Sequence, residues 1–542
     1  MAFSPRPPQA TLTGQRAEHA ELLAGGRLPQ HLDLTLSEAL VIGLLRQGVR
    51  IYFTVFGHGS TEVGEVLRIY QAAGLLKVYG LRSEIEASHA AAALRWVTSE
   101  KAAVVTSIGP GALQALAASL VPASDGLGVW YLFGDETTED EGFNMQQVPR
   151  HSQNLFLQLA STMGQAYCLH TPQALSTALQ RGGVTVDHPY RPGPYYLLLP
   201  MNTQAAWLPG FNLDELPDAH LLTLGAAEGD YAQATRWLQE AERVVVKVGG
   251  GGRYAGEQLT AMLERVGGVL VHTPLATGCI PYTHPQNMTV GGSKGSLCGN
   301  YAMEHADLLL AVGTRSVCQS DSSRTGYPEV KRVINLNANP LDATHYNHTL
   351  ALAGDVRHTL ERLNQALGAQ LADKQPWLAA CAAQKAAWQA FKAERWANPI
   401  LPDDYWSSPV LTQPAAIKIA TDWAKAQSIT CFFDAGDVQA NGFQIVEDER
   451  PDQTFTETGA SYMGFAASAL LATGVASQPF YALALTGDGS FTMNPQILID
   501  GVQHGARGCI LLLDNGRMAA ITGLQEAQYG AGFATWNTIQ MD

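Results

Sequence analysis

The chain has 542 residues, 46% hydrophobic and 15% charged, with 53 glycines and a formal charge of −15. That length implies several domains rather than one core. The net negative charge argues against nucleic acid or an anionic membrane as partner, and no apolar run reaches bilayer-spanning length.

The first residues, Met1 to Pro8, lack the apolar core of a signal peptide. Seven cysteines, none in a Cys-x-x-Cys pair, indicate neither a zinc site nor a disulfide framework and fit a reducing compartment. Cytoplasm is the expected location.

After an N-terminal extension, 1–34, three segments alternate strand and helix patterns. In the first, 35–205, the runs Ile51–Phe56, Leu76–Leu81, Ala102–Thr106, Gly128–Phe133 and Tyr195–Leu199 read as buried parallel strands. Helical spacing covers Ile85–Trp96 and Ala112–Leu120. A Pro-rich passage from His188 to Pro194 precedes the last strand, and Trp207–Gly210 is expected to begin a linker.

The second segment, 215–370, has strands at Arg243–Val248, Ala306–Val312 and Arg332–Leu336. Gly249–Gly252 follows the first of these. It does not fit Gly-x-Gly-x-x-Gly with a placed acid, and reads as a tight turn. A helical linker, 371–414, holds the alanine-rich stretch Trp377–Trp396 and a Pro/Ser/Trp passage, Asn398–Pro414. The third segment, 415–542, has strands at Thr430–Phe433, Tyr481–Thr486 and Cys509–Leu513. The pattern predicts an α/β fold of three doubly wound domains with mainly parallel sheets.

Two strand ends in the third segment carry the strongest chemical signal. One apolar run stops at Gly487-Asp488-Gly489-Ser490, the other at Asp514-Asn515. Open α/β sheets place ligands at such ends. Glycines let backbone amides approach an anion, while the Asp488 carboxylate and the Asn515 amide offer hard oxygens to a cation such as Mg²⁺. The pairing suggests a bound diphosphate, although Gly-Asp-Gly alone is also a plain turn after a strand. In the first segment, Arg82-Ser83-Glu84-Ile85-Glu86 opens a small-residue helix. A buried Glu84 would have a raised pKa suited to sharing a proton with a ring nitrogen; acids at a helix start also simply complement its dipole.

Gly487-Asp488-Gly489 followed 27 positions later by Asn515 resembles the thiamin-diphosphate (ThDP) motif. Val55-Phe-Gly-His58-Gly-Ser60, Arg82-Ser-Glu84 with His89-Ala-Ala, and Thr106-Ser-Ile-Gly109-Pro-Gly111 are similar in order and spacing to the pyrimidine-binding domain of ThDP enzymes. Within that superfamily, of acetolactate synthase and decarboxylase type, these forms look most like the trihydroxycyclohexane-1,2-dione hydrolases. Ala306–Arg315 and Asn335–Ala343 are similar to their central domain, and Tyr462–Phe465 to their diphosphate-binding domain.

The resemblance implies that Asp488, Asn515 and the backbone carbonyl of Arg517 hold Mg²⁺, and that Glu84 is the cofactor-activating carboxylate. Met463 would be the bulky support beneath the cofactor, with Gly436, Asp437, Gly487, Gly489 and Ser490 beside the diphosphate. His58 is a candidate to shuttle protons or activate water; the alternative is a histidine bonded within its own turn. His89, in an alanine-rich helix, reads as structural. Some relatives bind FAD, and nothing in this sequence requires it.

The implied activity is hydrolytic carbon–carbon cleavage of a cyclic or branched 1,2-diketone, in a homodimer or homotetramer with the active site between subunits. Where this group has Gln after the glutamate, the chain has Ile85. That departure keeps open a 2-oxo acid carboligase or decarboxylase. A third reading is a non-catalytic cofactor-binding paralogue, because the chain stops 27 residues after Asn515, where such domains ordinarily continue, so that the third domain reads as short or truncated.

Overall fold

The computed structural model describes residues 6–139, 146–149, 154–219, 221–369, 373–403 and 406–536. Outside the described residues lie the start of the expected extension, 1–5, positions 371–372 and 404–405 of the linker, and the end of the third domain, 537–542.

The chain packs as two units. The first comprises Met1–Leu222, Ser468–Phe480 and Asn494–Arg507; the second comprises Thr223–Ala467, Tyr481–Met493 and Gly508–Asp542.

In the first unit a six-stranded parallel sheet runs in the order Lys77–Gly80, Val49–Val55, Lys101–Thr106, Val129–Asp135, Pro194–Pro200, Gln165–Cys168. Val129–Asp135 and Pro194–Pro200 are buried along their whole length, as strands covered by helices on both faces must be. One core packs Leu40, Leu44, Val49, Tyr52, Trp130 and Leu179 together.

Trp207–Asn212 is not a linker. It is a strand paired antiparallel with His31–Thr35. Leu208 and Phe211 pack on the core beside Leu32 and Leu34, which outweighs the turn-forming tendency of Pro209-Gly210. Pro209 has no N–H to give, and it lies where the register shifts between Leu32 and Leu34. The N-terminal extension is likewise built into this unit. Its helix, Gln9–Ala24, buries Arg16, which donates to Thr35 Oγ1 at 2.9 Å and pairs with Glu62. His19 Nδ1 and the Tyr70 hydroxyl both reach Glu38 Oε1 at 3.0 Å.

The second unit holds two further parallel sheets. The central one has the order Asn287–Val290, Val269–His272, Val244–Val248, Leu308–Val312, Arg332–Asn337, Thr349–Ala353. The other, four-stranded, runs Thr454–Thr456, Thr430–Phe433, Ala482–Gly487, Gly508–Leu513. The expected linker contains the helix Gln375–Ala397, fastened to the central sheet by Trp377 Nε1 on Val244 O (3.2 Å), and to the loop before Asn287–Val290 by Lys385 Nζ on the carbonyls of Tyr282 (2.9 Å) and His284 (2.8 Å). The passage after it is a hairpin rather than a loop, Ile400–Asp403 against Ser408–Leu411. Among the described residues no helix is long and apolar enough to cross a membrane.

Candidate active site

The pyrimidine-side candidates lie in the first unit, on a turn running from Thr106 to Gly111. Gly109 takes φ +72 there, and Pro110 starts the next helix, Pro110–Ala118, at the position where a missing N–H costs nothing. Glu84 opens the helix Glu84–Thr98, capped by Ser83, whose Oγ accepts the Glu86 N–H at 3.3 Å. The half-buried Glu84 lies flat against Gly111: a Cβ on that glycine would stand 3.0 Å from Glu84 Oε1. The side-chain-free Gly111 is therefore the bed of the carboxyl.

The same turn supports His58. Gly57 packs on Ser107, where a Cβ would meet Ser107 Cβ at 2.6 Å, and the Gly59 N–H donates to Ser107 Oγ at 3.1 Å. The imidazole of His58 is exposed at the start of the short helical turn His58–Ser60. His89 is fully buried, and burial lowers it to about 3, so it is a neutral imidazole in the helix interior.

Two acids in this unit escaped the sequence reading of the site. Asp135 ends a strand whose Gly134 packs directly on Gly59, and burial pushes its carboxyl up to about 7. The Cys168 thiol donates to Asp135 Oδ2 at 3.7 Å. Glu86 is fully buried, and burial, then Asp500, pushes it up to about 9. Only the Gly-Asp at a strand end hinted at the first; the second stood in the sequence as another acid at the helix start, with nothing local to mark its burial.

The diphosphate-side candidates lie in the second unit. Phe433 pairs with Leu485 and Gly487 with Leu513, so neighbouring strands release Asp434, Asp488 and Asp514-Asn515 at their carboxyl ends. Asp434 organises this end. It is fully buried, Oδ1 accepts the N–H groups of Ala435 (3.0 Å) and Gly464 (2.9 Å), and Oδ2 accepts the Thr486 hydroxyl at 2.8 Å. Burial raises it to about 6 against those hydrogen bonds. One carboxyl thereby ties the Asp434-Ala-Gly436 turn to the Met463-Gly464 bend and to the residue before Gly487.

Gly436 takes φ +87, with nothing within 4 Å of where a Cβ would stand. It precedes the helix Asp437–Ile445, whose first N–H groups and dipole favour an anion. Around Gly487 a Cβ would meet nothing nearer than 3.8 Å. Asp488 and Ser490 are buried, while Met463 is half-buried. Asn515 Oδ1 accepts the Arg517 N–H at 3.2 Å, and the Asp514 carboxylate accepts that of Gly516 at 2.9 Å, curling this strand end into a turn.

The donor set fits a hard divalent cation: one carboxylate, one amide oxygen with a second lone pair, and one carbonyl. No group of three or more His, Cys, Asp or Glu side chains is placed to hold a metal among the described residues, and this mixed oxygen set needs none. Open backbone at Gly436 and Gly487 fits a diphosphate.

Three families match the chain. Residues 34–157 match "Thiamine pyrophosphate enzyme, N-terminal TPP binding domain", residues 231–363 "Thiamine pyrophosphate enzyme, central domain", and residues 434–540 "Thiamine pyrophosphate enzyme, C-terminal TPP binding domain". The chain is also similar to curated proteins named 3D-(3,5/4)-trihydroxycyclohexane-1,2-dione hydrolase. One from Bacillus velezensis is 27% identical over 92% of this chain and 84% of its own length. One from Listeria monocytogenes is 26% identical over 93% and 84%, and one from Lacticaseibacillus casei 26% identical over 95% and 85%.

Proposed function

The chain belongs to the thiamine pyrophosphate (ThDP) enzyme family, and on that premise we propose that it hydrolyses a carbon–carbon bond of a 1,2-diketone, cyclic or branched. The relatives' name denotes a hydrolase of a cyclic 1,2-dione. The observation that carries the reading is the seat of Glu84: a half-buried carboxyl at a helix start, laid over a glycine whose missing side chain leaves space for it.

When bound, ThDP supplies carbanion-stabilising chemistry that no side chain offers. Glu84 would share its proton with the pyrimidine ring nitrogen of the cofactor. Asp488, Asn515 and the carbonyl of Arg517 would hold Mg²⁺, with Gly436, Asp437, Gly487, Gly489 and Ser490 around the diphosphate and Met463 beneath the cofactor. His58, exposed on its turn, would deliver a proton or orient water at the reacting carbon. FAD has no part in this reading.

We assign residues 35–205 to pyrimidine binding, 215–370 to the central domain and 415–542 to diphosphate binding. The active protein is proposed to be a cytoplasmic homo-oligomer, a dimer at least, that takes small-molecule substrates. Ile85 favours a second reading, a carboligase or decarboxylase of 2-oxo acids, since hydrocarbon stands where the hydrolases present an amide. Supplying cyclohexane-1,2-dione and pyruvate side by side, with ThDP and Mg²⁺, separates the two. Ring opening of the dione is expected; carbon dioxide released from pyruvate instead would replace the hydrolase by the second reading.

A further inference from the structure

Glu86 stands two residues beyond Glu84 on the same helix, and its side chain goes inward. It is 0% exposed, and neither oxygen receives a hydrogen bond from an N–H or O–H of the described residues. A glutamate three places after a serine cap ordinarily reaches back to the N–H of the cap residue. Glu86 instead meets Asp500 of the helix Ile497–Gln503, whose carboxyl is also 0% exposed.

Asp500 is already engaged. Its Oδ2 accepts the Arg82 backbone N–H at 3.0 Å, and its Oδ1 pairs with the Arg82 guanidinium. Arg82 is the cation facing the two acids, and it also donates to Gln503 Oε1 at 3.1 Å. Of the other elements packed there, Val49–Val55 carries Arg50, which is exposed, and Leu120–Asp125 carries the acid Asp125; neither acts on Glu86. The Pro110–Ala118 and Leu471–Val475 helices packed on the Glu84 helix have no ionisable side chain. From the strands beneath it, Tyr52 and Tyr131 are phenols kept protonated by burial, Lys101 pairs with Asp187, and Asp135 is met by Cys168. His504 points Nε2 at the Gly80 carbonyl, 2.8 Å away, and His89 is neutral.

Two carboxylates facing each other out of water, with one guanidinium beside them, cannot both stay ionised. A proton between them turns two acceptors into a donor and an acceptor. We propose that Glu86 and Asp500 share one proton, and that this acid pair, clasped by Arg82, is the positioning device that seats the start of the Glu84 helix on the Ile497–Gln503 helix. The pair rests on packing within the first unit; its bearing on Glu84 rests on the function proposed above.

Glu86 is raised from 4.5 to about 9, so the folded state keeps a proton the unfolded chain releases. The resulting stability is complete below the lower value and is lost as pH rises through the higher one.

Infrared spectroscopy of the full chain tests the pair directly. Between the about 7 of Asp135 and the about 9 of Glu86, the buried Asp434 and Asp448, both about 6, have also lost their protons. The wild-type protein should retain a carboxylic-acid C=O band in that window, and Glu86→Gln should lose it. A wild type without the band overturns the proposal, whether or not the variant folds. Glu86→Gln keeps an N–H for Asp500 and cannot ionise, so its unfolding temperature should stop falling with pH across the window; equal slopes in the two proteins overturn it as well. The positioning role predicts that the alkaline decline of ThDP-dependent turnover also disappears in this variant, and an unchanged profile overturns that role while the band upholds the pair. Failure of the Glu84 assignment shows separately, as full turnover by Glu84→Gln.

Discussion

The two parallel sheets of the second unit use glycine at their strand ends in opposite ways. After Val244–Val248, Gly249 is pressed against backbone: a Cβ would stand 2.6 Å from both the Gly313 oxygen and Thr314 Cα. Gly252 is packed on the Val248 side chain, which lies 2.7 Å from where a Cβ on the glycine would stand. After Thr430–Phe433, Gly436 faces open space within 4 Å, and Gly487 is nearly as free. Four consecutive glycines thus close a turn, whereas single ones beside Asp437 and Asp488 keep backbone accessible. Glycine after a strand points to a ligand only when nothing of the protein occupies the room it leaves.

Variants at the two ends sharpen the contrast. The largest effect is expected of Asp488→Ala, which should abolish Mg²⁺-dependent uptake of ThDP in calorimetry; wild-type affinity would remove Asp488 from the ligand set. Glu84→Gln should still bind the cofactor but lose about 10²- to 10⁴-fold in turnover, the range for a positioned acid–base group.

Next come the glycines themselves. Gly249→Ala forces backbone apart and should cost about 1–3 kcal/mol in denaturant unfolding, with ThDP affinity preserved. Gly436→Ala strains a residue held at positive φ by about 1–3 kcal/mol and should weaken cofactor binding. If Gly249→Ala proved the more damaging to ThDP affinity, the contrast between the sheets would be broken. The mildest test is pH. Asp434 is raised from 3.8 to about 6, so its contribution to stability is lost as pH climbs through the upper value, and Asp434→Asn should flatten the unfolding temperature over that interval.

Long apolar strands were readable from residue order because most are buried on both faces; Lys77–Gly80 and Gly508–Leu513 were readable too, but are only partly covered, contrary to the expectation of buried strands. Gln165–Cys168, Val269–His272, Asn287–Val290, Thr349–Ala353 and Thr454–Thr456 were not readable: runs this short show no period, and Thr430–Phe433, equally short, stood out only by its apolar Cys431-Phe432-Phe433. Trp207–Asn212 was misread because Pro-Gly signals a turn locally, while its partner strand lies far away at His31–Thr35. In the candidate site, Glu84, Asp488 and Asn515 were legible as polar residues at the ends of regular elements. The bed under Glu84, the three-way tie made by Asp434 and the burial of Glu86 were not. Each depends on what another part of the chain brings: Arg82 and Asp500, for example, are 418 positions apart.

That separation bears on how the polypeptide matures. The first unit recruits Ser468–Phe480 and Asn494–Arg507, so the polypeptide must be made as far as Arg507 before its last helices arrive. A nascent chain ending at Leu222 would hold Arg82 and Glu86 without their counterpart, with the face of the Glu84 helix that meets Leu471–Val475 still bare. Assembly of the first unit therefore waits on synthesis of the segments beyond Ser468, which leaves the intermediate open to chaperones and proteases while the intervening residues are made.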